Sequence, residues 1–429
     1  MVHLYKSVTI LHKLSPFNGK VVDILIKNGK IAEIGNDLTD PEAKVIQEDG
    51  LCCSIGWFDI GAFVGEPGYE HRESIESLIK AAAYGGYTEV ACLPNVNPVT
   101  QTKSSVEFLK QKSVNTPVRL HAIAAVTHNL EGKDLAELID LKEAGAIAFA
   151  DGNTSIQASD TVLKALEYLK IFGGVLINRP ENAKLANGGQ MHEGVASTKL
   201  GLKGIPSMAE EMQLKRDLQM VEYTNGRLHF SQVSTAGAVH AIREAKRQGL
   251  QITCDVAAHQ VTFLDETLEP FDTNYKVSPP FRSQKDREAI LEAVADGTID
   301  TIVSAHIPWD EEAKELEFDL AEAGVIGLQT AFSVAMKSFS DKIPLQDIVE
   351  LISTNSRNLL GLPIPALERG ELANLTFFNP KTTWRFTENV NASASKNSPF
   401  LEEELTGCVF ATHQQGIVTF NPAYPNSLQ

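Results

Sequence analysis

The chain has 429 residues, with 38 Lys and Arg against 55 Asp and Glu, for a formal net charge of −17. That length is enough to bury a large core, and the acidic balance excludes non-specific attraction to phosphate backbones or anionic membranes. Five cysteines, Cys52, Cys53, Cys92, Cys254 and Cys408, lie in apolar, strand-like contexts without a CxxC pair, as expected of reduced thiols in a cytosol rather than of a disulfide framework.

The N-terminal MVHLYKSVTILHKL lacks a continuous apolar signal segment, and no run reaches the length of a membrane span, so a cytoplasmic location is expected. Apolar and polar residues alternate in KVVDILIKNGKIAEIG, and its Asn-Gly predicts a tight hairpin. Residues 1–52 therefore read as part of a small antiparallel sheet. From residue 53 the pattern changes to short apolar runs followed by amphipathic segments. The first run ends near Asp59, and seven others follow at 88–93, 118–126, 146–150, 174–178, 227–233, 251–256 and 300–305. Helices are expected at 73–85, 132–144, 160–171, 208–224, 236–248 and 283–296. Eight strands alternating with helices predict an α/β fold, a closed (β/α)8 TIM barrel over residues 53–362. Its chemistry belongs on the loops after the strands' C-terminal ends. Beyond residue 363 strand-like pieces return in ANLTFFNP, TWRFT and GCVFATHQQGIVTF, with ENVNASASKNSPF as a polar loop. Residues 1–52 and 363–429 are expected to form one β-sandwich domain beside the barrel.

Five blocks, in order, resemble dihydroorotases of the amidohydrolase superfamily. They are EPGYEHRESIESLIKAAAYGGYTEVACLPNVNPVT (66–100), MHEGVASTKLGLKGIPSMAEE (191–211), HFSQVSTAGAVHAIREAK (229–246), DTNYKVSPPFRSQKDREAI (272–290) and SKNSPF (395–400). The resemblance covers nearly the whole chain and implies reversible cyclisation of carbamoyl aspartate to dihydroorotate, in pyrimidine synthesis, with zinc on a barrel. Such chemistry needs a metal to polarise the amide and activate water, and a carboxylate to manage the proton.

Against that pattern the site positions depart. The family's first strand ends in D-x-H-x-H followed by an arginine that grips the substrate carboxylate. Here GWFDIGAFVG supplies Asp59, Gly61, Phe63 and Gly65. The next ligand position, after strand five, is Arg179, which is permanently protonated and cannot ligate a cation. The position after strand six is Gln232, a weak ligand. The aspartate after strand eight is Ala305, and the histidine closing that motif is Trp309. A substrate-contacting asparagine reads Ser278, while Asn95 matches another. Glycine, phenylalanine, arginine and alanine offer zinc no donor, so no metal is expected, although zinc serves active relatives.

His259 and His306, at the ends of strands seven and eight, are candidates for ligand contact, with hydrogen-bonded structural roles as the plainer expectation. His229 is expected to pack away from Gln232, and His71 to order its loop. Asp151 matches an acidic family position and is expected as a solvated loop carboxylate. Arg179 is expected to enter the former metal cavity and pair with Asp59 or Asp151. The resemblance also implies a role without catalysis, since some bacterial relatives are inactive partners of aspartate carbamoyltransferase, and it implies a homodimer. Two alternatives stand beside that role: a working amidohydrolase with an atypical site, and a small-molecule sensor that retains the pocket.

Overall fold

The computed structural model describes residues 2–425. Met1 and residues 426–429, the extremes of the expected β domain, lie outside the described residues. The N-terminal alternation forms the hairpin of Val21–Lys27 and Lys30–Gly35, with Lys27 opposite Lys30. Asn28 and Gly29 between them have φ of 50° and 74°, the left-handed pair that a two-residue hairpin turn matched to strand twist requires. Val2–Ile10 pairs with this hairpin and in parallel with Lys44–Gln47 and Cys52–Ile55. Cys52–Ile55 then pairs antiparallel with Leu375–Arg385, which continues to Glu404–Gln414 and Ile417–Phe420. Both ends of the chain thus share one eight-stranded sheet. Tyr5 stacks on Phe377 with ring centroids 3.8 Å apart, and its hydroxyl meets His413 Nε2 at 2.6 Å, so N- and C-terminal segments are joined through a buried polar contact.

The second eight-stranded sheet is the barrel. Trp57–Ala62, Tyr87–Cys92, Arg119–Ala125, Ala148–Ala150, Leu176–Asn178, Leu228–Phe230, Ile252–Ala257 and Thr301–Val303 run parallel in chain order. Phe58, Ile60, Leu93, Ile123, Ile177 and Val303 fill its interior, as packed layers do in such barrels. The last strand meets the first where Phe63 N–H donates to the His306 carbonyl at 3.0 Å.

Five of the six expected helices appear within two residues at each end, from Ile75–Tyr84 to Gln284–Ala295. The expected 132–144 shrinks to Leu138–Ala144, because Gly132 (φ 68°) holds a loop before it. A helix not anticipated, Lys103–Lys112, starts at the Thr102 cap. The strand expected at 227–233 stops at Phe230, because Gln232 adopts a left-handed backbone, φ 55°, and turns the chain toward the barrel mouth.

At the opposite, N-terminal end of the strands, Arg357 donates to Glu89 Oε1 at 2.9 Å and to the Gly56 and Ser353 carbonyls at 2.9 and 3.0 Å. The other Glu89 oxygen meets His121 Nε2 at 2.7 Å, and Asn374 donates to Oε1 at 3.1 Å. Burial alone would raise the Glu89 carboxyl, but His121 and Arg357 hold it well below the usual carboxylate range. Among the described residues, no helix is long and apolar enough to cross a membrane.

Candidate functional site at the barrel mouth

A cavity of about 540 Å³ opens at the C-terminal ends of the strands, where ligand sites of such barrels lie. It is lined by Phe63, Arg72, Asn95, Arg179, His259 and Trp309, among others. Gln232, Ser278 and Ala305 also reach it. The sequence-selected positions therefore converge, but most of their polar groups are already engaged.

Asp59 is fully buried and accepts from Ser304 N–H at 2.7 Å and from its hydroxyl at 2.6 Å. Burial pushes its pKa up to about 6. Asp151 is buried too and accepts from Val126 N–H (3.1 Å), Thr127 N–H (2.9 Å) and the Thr127 hydroxyl (2.6 Å). The expected solvated loop carboxylate is instead a strut tying two strand ends together, and burial raises its pKa. Both acids are satisfied by neutral donors.

Arg179 does reach the cavity, but the expected pairing with Asp59 or Asp151 does not form. Its guanidinium donates to the Ser278 hydroxyl, to the Asn153 carbonyl at 3.5 Å and to Glu181 Oε2 at 3.4 Å. The reason is local: the two aspartates have been filled by backbone and hydroxyl donors, so Arg179 turns to the loops beside it.

His306 donates from Nε2 to Glu73 at 3.0 Å, while its Nδ1 accepts from Gly327 N–H at 3.2 Å. These bonds assign its tautomer and hold it in a structural position. Burial alone would raise the Glu73 carboxyl, yet His306 and the Ser393 and Ser77 hydroxyls leave it lowered. Through this carboxylate the loop at 393–394 is fastened over the barrel, with Ala394 N–H donating at 3.1 Å. His259 lines the cavity edge-on to Phe281, and burial lowers its pKa to about 4, so it is neutral near pH 7. His229 is sealed between Thr253 and Asp255, each at 2.9 Å, whereas the other Asp255 oxygen accepts from Gln232 N–H at 2.6 Å. His71 is largely exposed and faces Asp310 at 3.5 Å, linking its loop to the one after the last strand. Asn95 Oδ1 is buried without a hydrogen-bond partner.

The residue that sequence reasoning missed is Arg72. Its guanidinium lies between two aromatic rings, 4.1 Å from the Phe63 centroid and 3.3 Å from that of Trp309, an attraction between cation and ring faces. Nε donates to the Pro308 carbonyl at 3.0 Å. Burial lowers its pKa to about 10, which leaves it charged at neutral pH. The signal was present in the two aromatic side chains standing where two histidines were expected.

The backbone at these positions is unusual as well. Gly61 has φ 87° and Gly65 φ 73°. A Cβ at Gly65 would lie 2.0 Å from the Glu73 carbonyl oxygen, so no side chain fits there. Gln232 and Ala305 hold φ of 55° and 46°. Strained conformations of this kind cluster at functional sites.

A family model described as dihydro-orotase-like matches residues 54–238. A dihydroorotase of Pelotomaculum thermopropionicum is 40% identical over 404 residues, covering 93% of this chain and 94% of the relative. The chain belongs to the dihydroorotase family. A second dihydroorotase, from Syntrophus aciditrophicus, is 38% identical over 97% of this chain and 99% of its own length. Among solved structures, the L-hydantoinase of Arthrobacter aurescens has a TM-score of 0.84 at 23% identity, over 98% of this chain and 96% of that one. Dihydropyrimidinase from Brevibacillus agri has a TM-score of 0.81 at 20% identity, over 99% and 96%. These two share the fold.

For this dihydroorotase-family chain the zinc implied by the resemblance can be tested against the donors present. Gly61, Phe63, Arg179 and Ala305 have no atom able to coordinate it, and Asp59 and Asp151 are already bound by neutral donors. Among the described residues, no group of three or more His, Cys, Asp or Glu is arranged to hold a metal ion. The donor set at the mouth does not fit zinc.

Proposed function

We propose that this member of the dihydroorotase family does not catalyse ring closure or opening and that, as a homodimer in the cytosol, it acts as a structural or regulatory partner of aspartate carbamoyltransferase. The observation that carries the non-catalytic part is Arg72 stacked between Phe63 and Trp309. A permanent cation leans on a position that in the family pattern holds a metal-binding histidine, so a dication beside it would meet like charge. The scaffold meanwhile stays closed and packed, which fits a protein kept for its surface. The partnership rests on the resemblance to inactive bacterial relatives.

The identity of 38–40% to proteins named dihydroorotase favours a second reading, a working enzyme with an atypical site. Assay of ring opening and ring closure, with and without added zinc, separates the two. Rates at the uncatalysed level support the proposal, whereas turnover abolished by a barrel-mouth substitution selects the second reading. Sedimentation with aspartate carbamoyltransferase from the same cell tests the partnership. A joint species with altered carbamoyltransferase activity supports it, and two independent species at micromolar concentration overturn it.

A further inference from the structure

The β domain, away from the barrel mouth, carries two histidines whose ring nitrogens are not all accounted for. His3 lies on the first strand, Val2–Ile10, and His413 near the end of Glu404–Gln414. Both are more than nine-tenths buried, at 6% and 4% exposure, and both line a cavity of about 240 Å³ with Asn28, Ile417 and Val418. Their ring centroids are 5.6 Å apart. His413 Nε2 is taken by the Tyr5 hydroxyl, which leaves Nδ1. Among the described residues, neither that Nδ1 nor either ring nitrogen of His3 has a hydrogen-bond partner, and neither ring forms an ion pair with a carboxylate. Burial lowers both pKa values, that of His413 to about 3. Both rings are therefore neutral near pH 7, and each offers a lone pair.

Neutral imidazole suits divalent cations late in the first transition row. Two imidazoles bound at about 2.0–2.1 Å to one tetrahedral ion hold their ring centres about 5–6 Å apart, a range that contains the separation of this pair. We infer that His3 and His413 together bind one divalent cation of the zinc, nickel and copper class, with solvent in the remaining positions. His413 coordinates through Nδ1 while its Nε2–H donates to the Tyr5 oxygen, the support that a metal-bound imidazole ordinarily receives through its second nitrogen. With two protein donors the site holds its ion less tightly than a four-ligand structural centre. Its consequence is mechanical: the cation ties the first strand of the chain to its last hairpin, and stabilises the fold according to its occupancy. The site is separate from the barrel mouth, whose donors do not fit zinc, and it stands or falls apart from the non-catalytic reading.

The test titrates the untagged full-length protein, near neutral pH, with zinc, nickel and magnesium chlorides in a calorimeter, and follows melting temperature in parallel. Zinc and nickel should each bind at one ion per chain and raise the melting temperature. Magnesium, which demands oxygen ligands, should do neither. His3→Gln and His413→Gln should each weaken zinc by at least about tenfold, as loss of one of two imidazole ligands does, whereas His240→Gln, on an exposed helix position, should leave zinc binding unchanged. The paramagnetic resonance of bound copper should show two nitrogen couplings in the parent and one in His3→Gln. If His413→Gln does not fold, His3→Gln decides through both readouts. Absence of stoichiometric zinc or nickel, magnesium binding as tight as zinc, unchanged affinity in His3→Gln, or copper couplings indifferent to that substitution would overturn the site.

Discussion

Two buried arginines stand at opposite ends of the barrel. Arg357, at the N-terminal end, spends its guanidinium on Glu89 and two carbonyls. Arg72, at the mouth, has aromatic faces, one carbonyl, and no acid in contact. The same side chain is thus a rivet at one end and an open hand at the other. The difference follows the division of labour in such barrels, where the N-terminal face serves stability and the loops at the C-terminal face serve function.

The sharpest way to break the comparison is to remove each cation. Arg357→Ala strands the buried Glu89 carboxylate and should lower unfolding free energy by about 3–5 kcal/mol in urea denaturation. Arg72→Ala loses stacking and one hydrogen bond, so about 1–2 kcal/mol is expected. Equal losses would make the two ends alike.

The pH dependence of the mouth supplies a second test. Asp59 titrates at about 6 in the fold against the ordinary 3.8. The folded state holds its proton more tightly, so stability from this group is complete below pH 4 and is lost as pH rises toward 6. His259 is the reverse: its pKa of about 4, against 6.5, makes stability fall as pH drops from about 6.5 toward 4. Melting temperatures should therefore show Asp59→Asn gaining on the parent as pH rises across this window, by about 2–3 kcal/mol at the top. His259→Gln should gain as pH falls. Parallel trends would contradict the burial assigned to one of them.

The smallest expected effect belongs to Arg179. Pairing with a buried aspartate would have made Arg179→Ala as damaging as loss of Arg357. With only Ser278, a carbonyl and the half-buried Glu181 as partners, about 1 kcal/mol is expected. A loss near 3 kcal/mol in the same urea measurement would restore the ion pair.

The barrel was legible because its signal is repeated eight times, in apolar runs alternating with 3.6-period helices. The hairpin was legible from two residues, Asn28 and Gly29. The site was legible as a set of positions, and Phe63, Arg179, Gln232, Ala305 and Trp309 do gather around one cavity. What the sequence does not display is who satisfies whom. The donors to Asp151 come from Val126 and Thr127 on the preceding strand end, and those to Asp59 come from Ser304. Backbone N–H groups carry no letter of their own in a sequence. Arg72 was hidden for a related reason, since its value lies in two rings brought together from residues 63 and 309.

Gly65 bears on what the mouth can accept. With no space for a Cβ against the Glu73 carbonyl, the family's arginine cannot be accommodated at this position by a single substitution. Glu73 is itself clamped by His306, Ser393 and Ala394, so the loop cannot shift without unfastening two other segments. A lone arginine at this position is therefore penalised before it confers anything. An engineer wishing to install the family's first-strand motif would have to transplant residues 59–73 together with the 393–395 strap as one cassette, before turning to positions 179, 232 and 305.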